Sequence, residues 1–263
     1  FNLIQNKINT VRQSERVRLK EFLEQRMIGQ PRAIDRVVFS YGNYLAFLKK
    51  QKNAAVKKKR DKPIMCGIFL GPTGVGKTLL AELLAEYFFG DRTAFTNIIA
   101  ENFLSGHELS SLLGTSTGYL GYDHPTDPKH SNPPILDQRS IDRFAIEFFQ
   151  RTVLDKDDNM KRMKWELKNY EKKIREAFSR GDVPTFQVCV RNLEEVQKRL
   201  DRYIKKKKGD KEFISVILVD EIEKGPHEIA HHVLLQPSDK GVTFLKNGRK
   251  TDFTNSIIIA TSN

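Results

Sequence analysis

The chain has 263 residues, with 45 Lys/Arg against 33 Asp/Glu for a net charge of +12, and is 39% hydrophobic and 10% aromatic. That composition excludes global disorder, and the length suffices for a large core or for one domain with an appendage. No apolar run approaches the ~20 residues that a membrane-spanning helix needs.

The charge is unevenly spread. Residues 49–62 (KKQKNAAVKKKRDK) hold eight basic residues and one acidic, and residues 151–212 hold 19 basic and 12 acidic. The rest of the chain, with 18 basic and 20 acidic residues, is close to neutral. A basic protein suggests nucleic acid or a membrane surface. Here the basicity belongs to two appendages, which argues against a nucleic-acid partner and against a membrane. Cys66 and Cys189 lie far apart in apolar segments and read as free thiols of a reducing compartment, cytoplasmic or organelle matrix. The six histidines show no metal-ligand spacing. The chain opens at Phe1 without a visible signal peptide and stops at Asn263 after an apolar stretch. We therefore expect a fragment of a longer protein.

In chain order, residues 15–27 predict an amphipathic helix, followed by MIGQPRAIDRVVFSYGNYLAFLKK. Pro31 falls where a first helical turn tolerates it, and Ile34, Val37, Val38, Tyr41, Tyr44 and Leu45 recur at helical spacing. The basic stretch after it reads as a solvated linker or helix end. PIMCGIFL is a continuous apolar run suited to a buried parallel strand. A glycine-rich turn and the helix TLLAELLAEYFF follow, and TAFTNIIA, ISVILVD and NSIIIATSN supply three more strands. Strands alternating with helices predict an α/β fold with a parallel sheet.

Between the second and third strands the pattern changes. Met160, Met163, Leu167, Tyr170, Ile174 and Ala177 step by three and four, as do Phe186, Cys189, Leu193, Val196, Leu200 and Tyr203 after the turn SRGDVP. Two such stripes predict an antiparallel helical hairpin with arms at about 159–180 and 184–207, each roughly 30 Å long. Trp165 falls off the stripe, on the outer face.

The chemistry lies at the strand ends. GPTGVGKT, Gly71 to Thr78, fits G-x-x-x-x-G-K-[ST] between a strand and a helix. The backbone of Gly71, Pro72, Thr73, Gly74, Val75 and Gly76 is expected to wrap ATP phosphates, with Leu79 entering the helix behind them. Lys77 is expected to reach the β- and γ-phosphates, and the Thr78 hydroxyl to ligate Mg2+. Asp220 and Glu221 close the ISVILVD strand: Asp220 suits holding Mg2+ through water, and Glu221 suits polarising the attacking water. Asn263, closing TSN, is placed to position the same water or to sense the γ-phosphate.

The blocks MIGQPRAIDRV, GIFLGPTGVGKT, HELSSLLGTSTGYLGYD, ILVDEIEK and LLQPSDKGVTFLKNGRKTDFTNSIIIATSN stand in one order along the chain. They resemble the AAA+ module of the Clp chaperone family, specifically the C-terminal ATPase ring of its double-ring unfoldases and disaggregases. The resemblance covers about residues 15–123 and 213–263. It implies a P-loop NTPase large subdomain that works as a hexameric ring, hydrolyses ATP and threads protein substrates through a central pore. It makes Gly71 to Thr78 Walker A, Asp220 and Glu221 Walker B, Asn263 sensor 1, and Met27 and Ile28 the segment lining the adenine pocket. It also makes Tyr119 and Leu120, in GYLGYD, the aromatic pore loop that grips substrate, and PSDKGVTFLKNGRK the region of a second pore-facing loop.

Two departures from the family follow. After GYLGYD, the stretch DHPTDPKHSNPP and the helical hairpin intervene before the Walker B strand. The expected organisation is thus a discontinuous large subdomain, 1–123 and 212–263, around an insertion at 124–211. In the family the last strand, the arginine finger, the helical lid and sensor 2 all lie beyond sensor 1. A chain ending at Asn263 is accordingly expected to be a weak ATPase by itself.

The leading functional expectation is an ATP-driven protein unfoldase or remodelling motor. A nucleotide-switched scaffold that recruits a partner protein on hairpin residues 155–211 is the alternative from a different class. A nucleic-acid remodelling ATPase, resting on the basic appendages alone, comes last.

Overall fold

The computed structural model describes residues 15–52, 58–72, 74–115, 133–208 and 213–263. The chain divides into two compact units: Ala145–Glu212 forms one, and the sequence on either side of it forms the other.

The larger unit is built on a four-stranded sheet of order β1-β6-β3-β2. Its strands are β1 (Met65–Leu70), β2 (Thr96–Ile99), β3 (Ser215–Asp220) and β6 (Ser256–Ser262), all paired in parallel. The two central strands are the most apolar: SVILV of β3 and SIIIAT of β6 are buried residue after residue. Parallel strands covered on both faces require such runs. β1 lies on an edge and alternates, with Ile68 and Leu70 exposed. A separate antiparallel ribbon, β4 (Val242–Phe244) with β5 (Lys250–Asp252), occupies the stretch read from sequence as a second pore-facing loop. Phe244 of that ribbon is exposed.

Helix α1 covers residues 15–24, and α2 runs Pro31–Lys52 with Pro31 in its first turn. α3 (Lys77–Phe89) packs on β3 and β6 and buries Leu80, Ala81, Leu83, Leu84 and Ala85. α4 (Gly106–Leu113) starts with a capping box, in which Ser105 accepts from the Glu108 N–H and the Glu108 carboxylate accepts from the Ser105 N–H. The hydrogen bond from the Ser105 backbone N–H holds the Glu108 carboxyl pKa below its ordinary value. Leu109, Leu112 and Leu113 of α4 join Ile98, Ile217, Val219 and Ile258 of the sheet in one buried cluster.

A helix α5 (Gln138–Phe149) lies inside the stretch read from sequence as insertion. Leu136 and Ile141 are buried in the sheet's own cluster. The Leu136 carbonyl accepts from Thr251 Oγ1 at 2.6 Å, and Gln138 Oε1 accepts from the Asp252 N–H at 2.7 Å. Residues 133–144 thus pack and hydrogen-bond as part of the larger unit. After β3, α8 (His227–Ile229) runs through a π-helical turn, Ala230–Leu235, into α9 (Gln236–Lys240). Ile229 and Val233 are buried there.

The smaller unit contains two long helices, α6 (Asp158–Arg180) and α7 (Val183–Lys208), joined at Gly181. Met160, Ala177, Cys189 and Val196 form its buried seam, and Trp165 on the outer face is 67% exposed. Glu166 ties the two helices through Arg199 at 2.6 Å. Asp157 caps α6 by accepting from the Asn159 and Met160 N–H groups. It also accepts from Tyr203 Oη at 2.9 Å and pairs with Lys207 at 2.7 Å, both on α7. Both cysteines of the protein are free, and burial pushes the Cys66 thiol pKa up. Among the described residues no helix is long and apolar enough to cross a membrane.

Asp157 gives the hairpin a pH dependence. The Lys207 ammonium, then the Tyr203 hydroxyl, lowers its carboxyl pKa from 3.8 to about 2. A depressed folded-state pKa means the contribution is whole above the unfolded value and is lost as pH falls through the folded one. In urea denaturation followed by helix ellipticity, Asp157→Asn is expected to cost stability near neutrality. Its deficit against wild type should shrink between about pH 4 and about pH 2.

Candidate nucleotide-binding site

Because β1, β6 and β3 are adjacent and parallel, their C-terminal ends open on one edge of the sheet, where α/β folds bind ligands. Leu70 stands opposite Ser262. The loop after β1 is tied there by the Gly71 N–H, which donates to the Ser262 carbonyl at 3.3 Å. Gly74 and Gly76 hold φ of +84° and +88°, left-handed values at which a side chain is strained. Gly76 is the N-cap of α3 and supplies no capping side chain. No side chain at the N-cap competes for the helix's leading N–H groups, which suits that end to an anion.

Lys77 is the best-connected member of the site. Its Nζ donates to the Gly71 carbonyl at 2.6 Å, the Ser262 carbonyl at 2.9 Å and Asn263 Oδ1 at 2.7 Å. An ammonium has three donors, and all three are directed at oxygens, the same class of acceptor that a phosphate offers. Pro72 and Gly74 are exposed, whereas Val75, Thr78 and Leu79 are half-buried. Gln30 Nε2 donates to the Val75 carbonyl at 3.3 Å. Met27 is buried, its Cε 3.8 Å from the point that a Cβ on Gly76 would occupy. Its neighbour Ile28 is 92% exposed. The structure therefore brings Met27 against the loop and leaves Ile28 open to solvent. Thr73, Tyr119 and Leu120 lie outside the described residues.

At the end of β3, the Thr261 hydroxyl donates to Asp220 Oδ1 and accepts from the Glu221 N–H at 3.0 Å. Glu221 is the one non-glycine residue at positive φ, +52°, among the described residues. Such a backbone costs on the order of 1–3 kcal/mol, and it turns two successive carboxylates in different directions. Asp220 is bonded to Thr261 on β6, whereas Glu221 Oε2 pairs with Lys224 Nζ at 2.8 Å. Lys224 also lies 3.8 Å from Glu101, and this neighbourhood, led by the Glu221 hydrogen bond, raises its pKa. Glu223 Oε1 accepts from the Asn263 N–H at 3.2 Å. The Glu223 pKa is lowered, by its own backbone N–H first and then by that of Asn263. The turn Ile222–Lys224 thus holds residues of two strand ends.

Thr78 and Asp220 offer hydroxyl and carboxylate oxygens, the hard donors Mg2+ prefers beside phosphate. Among the described residues no group of three or more His, Cys, Asp and Glu side chains forms a metal site. Gln30, Glu101, Glu223, Lys224 and Thr261 are members that the sequence reading did not single out. Thr261 and Lys224 were within reach of it, since TSN and DEIEK were both read at strand ends.

The family described as AAA domain (Cdc48 subfamily) matches residues 62–131 and 143–263. The chain belongs to this family. Among its relatives, the ATP-binding subunit ClpC of the ATP-dependent Clp protease from Staphylococcus aureus is 38% identical over 117 residues, 44% of this chain. The chaperone protein ClpB of Rhodopseudomonas palustris is 37% identical over 113 residues, 41% of this chain. With these relatives, the chain is a Clp-family AAA+ module. The matched segments span only 13% of the ClpC and 11% of the ClpB sequence.

Two solved structures share the AAA+ fold with it. Closed-state Hsp104 with ATPγS and FITC casein superposes with a TM-score of 0.54 at 20% identity, over 95% of this chain and 28% of that one. The extended Saccharomyces cerevisiae Hsp104–casein complex gives 0.51 at 19% identity, over 94% and 28%.

Thr261 is fully buried and serves both Walker B candidates of this AAA+ module. Thr261→Val keeps the shape but strands the Glu221 N–H, and should lower unfolding free energy by about 1–3 kcal/mol. Thr261→Ser, which keeps the hydroxyl, should recover most of that loss in denaturant titrations.

Proposed function

We propose that the chain is the ATP-binding and ATP-hydrolysing module of a motor that unfolds or remodels protein substrates. The observation that carries this reading is the meeting of Lys77 with Asn263, Nζ to Oδ1 at 2.7 Å, on the sheet edge that also ends in Asp220 and Glu221. Phosphoryl transfer needs positioning and charge compensation more than covalent chemistry, and these groups are of the right kind. Lys77 exchanges its present oxygen partners for the β- and γ-phosphate oxygens. The backbone of Gly71 to Gly76 and the start of α3 cradle the remaining phosphates. Thr78 and Asp220 would hold Mg2+, which would supply neutralisation of the phosphate charge. Glu221 accepts a proton from the attacking water, and Asn263 orients that water. Met27 and the exposed Ile28 receive the adenine base.

In this reading the nucleotide-binding subdomain is discontinuous, and the hairpin is an insertion in it. Tyr119 and Leu120 form a pore loop that grips the substrate polypeptide, in a homo-oligomeric ring of six. Support comes from the Clp-family blocks around GYLGYD and from the casein named in the two Hsp104 structures.

In the full-length protein, Glu221→Gln is expected to keep ATP binding while lowering kcat by about 10²–10⁴-fold, the range for loss of a general base. Undiminished hydrolysis would remove Glu221 from the mechanism. Tyr119→Ala should abolish substrate translocation and leave ATP hydrolysis measurable.

A second reading, a nucleotide-switched scaffold, is favoured by the 67% exposure of Trp165 on the basic hairpin. Under it, deleting residues 155–211 abolishes capture of a partner protein but spares ATP binding. Capture that survives the deletion overturns the scaffold reading.

A further inference from the structure

The loop after β1 is gripped near both of its ends through backbone carbonyls. At the β1 end, the Gly71 carbonyl accepts from Lys77 Nζ at 2.6 Å. At the α3 end, the Val75 carbonyl accepts from Gln30 Nε2 at 3.3 Å, from 45 residues away in sequence. The two donors differ in kind. Lys77 carries an ammonium, which an anionic phosphate attracts more strongly than a neutral carbonyl does. The Gln30 amide is uncharged, so it has no comparable reason to leave the loop for a nucleotide.

Gln30 is itself held from behind. It stands just before α2, and its own carbonyl accepts the Ile34 N–H at 3.2 Å in the first turn of that helix. Gly29, at φ +80°, turns the chain between Met27 and Gln30. Both of those side chains arrive at the same part of the loop. Gln30 bonds Val75, and the Met27 Cε lies 3.8 Å from the point that a Cβ on Gly76 would occupy.

Val75 and Gly76 share one peptide plane. That plane is trans, so its C=O and its N–H point in opposite directions. A donor that fixes the Val75 carbonyl on the Gln30 side therefore aims the Gly76 N–H away from that side. Gly76, at φ +88°, lets the plane stand so at the threshold of α3, where N–H groups suit an anion.

We propose that Gln30 is a positioning residue for the phosphate loop, which presets the Gly76 N–H as a phosphate donor by holding the Val75 carbonyl. The inference rests on the ATP-binding reading above. Gln30 acts through the backbone and needs no contact with the nucleotide. A peptide plane that is already oriented loses less freedom when phosphate arrives, and that saving appears as affinity. The effect falls on the phosphate half of the nucleotide, although Gln30 belongs to the base-side segment.

Equilibrium binding to the full-length protein tests this, read by displacement of a fluorescent ATP analogue. Gln30→Met removes the donor at similar length, and is expected to raise the Kd for ATP about three- to tenfold, the range of one hydrogen bond. Gln30→Leu, differently shaped and also without a donor, should match it. Inorganic tripolyphosphate, which has no base, should weaken by the same factor as ATP. Adenosine, which has no phosphate, should bind wild type and both variants alike. Unchanged ATP affinity in the variants overturns the proposal. So does adenosine weakened as much as ATP, the result expected if Gln30 only braces the base-side segment. In either case, wild-type protein that binds ATP keeps the nucleotide-binding reading intact. Wild-type protein that binds neither ATP nor tripolyphosphate overturns both.

Discussion

The insertion of β6 between β1 and β3 is the constraint on which the site depends. β6 is the last strand in sequence, and it pairs with β1 about 190 residues earlier, Met65 opposite Ile257. Only this pairing brings the end of the first strand, with its glycine loop, beside the carboxylates that end the third. The contact is made in backbone hydrogen bonds and finished by side chains: the Gly71 N–H on the Ser262 carbonyl, the Lys77 ammonium on Ser262 and Asn263, and the Thr261 hydroxyl on Asp220. The apolar run IIIA exists to make β6 fully burial-competent on both faces, because a central strand has no solvent side.

That same topology explains where a large addition is tolerated. β2 and β3 are neighbours in the sheet, Ile99 opposite Asp220, although more than a hundred residues separate them in sequence. Closing a long loop costs only slightly more than closing a shorter one, because the entropy grows with the logarithm of its length. A hairpin with its own seam, its own cap at Asp157 and its own inter-helix ties adds little further cost, since it orders itself. The connection between these strands can therefore carry a second unit without disturbing the register that sets the site.

The strands and the phosphate loop were legible because their signals are local. MCGIFL, SVILVD and SIIIATS are apolar runs with chemistry at the C-terminal end, and GPTGVGKT is a spacing that one mechanism explains. Helix α5 escaped the sequence reading although Ile141, Ala145 and Phe149 recur at helical spacing and are buried. Its opening PPIL resembles a loop, and what marks it as core is tertiary, the Thr251 and Asp252 bonds from over a hundred residues away. The β4–β5 ribbon was read as a loop for a related reason: each strand has three residues, and only pairing makes strands of them. The adenine-side segment was half legible. The resemblance named Met27 and Ile28, and only packing separates a buried Met27 from an exposed Ile28.

The candidate acid–base chemistry shows the limit of motif reading most sharply. The letters DE at a strand end carry no information on direction, and a strand that continued past Asp220 would send the next side chain to the opposite face of the sheet. Instead Glu221 leaves the strand at φ +52°, and the turn that follows supplies Lys224 for its carboxylate and Glu223 for the Asn263 N–H. Three charges within four residues, Glu221, Glu223 and Lys224, are thereby distributed over two strand ends by one strained residue. The strain is offset by the Thr261 hydroxyl, which accepts the Glu221 N–H and so fixes the backbone from which all three project.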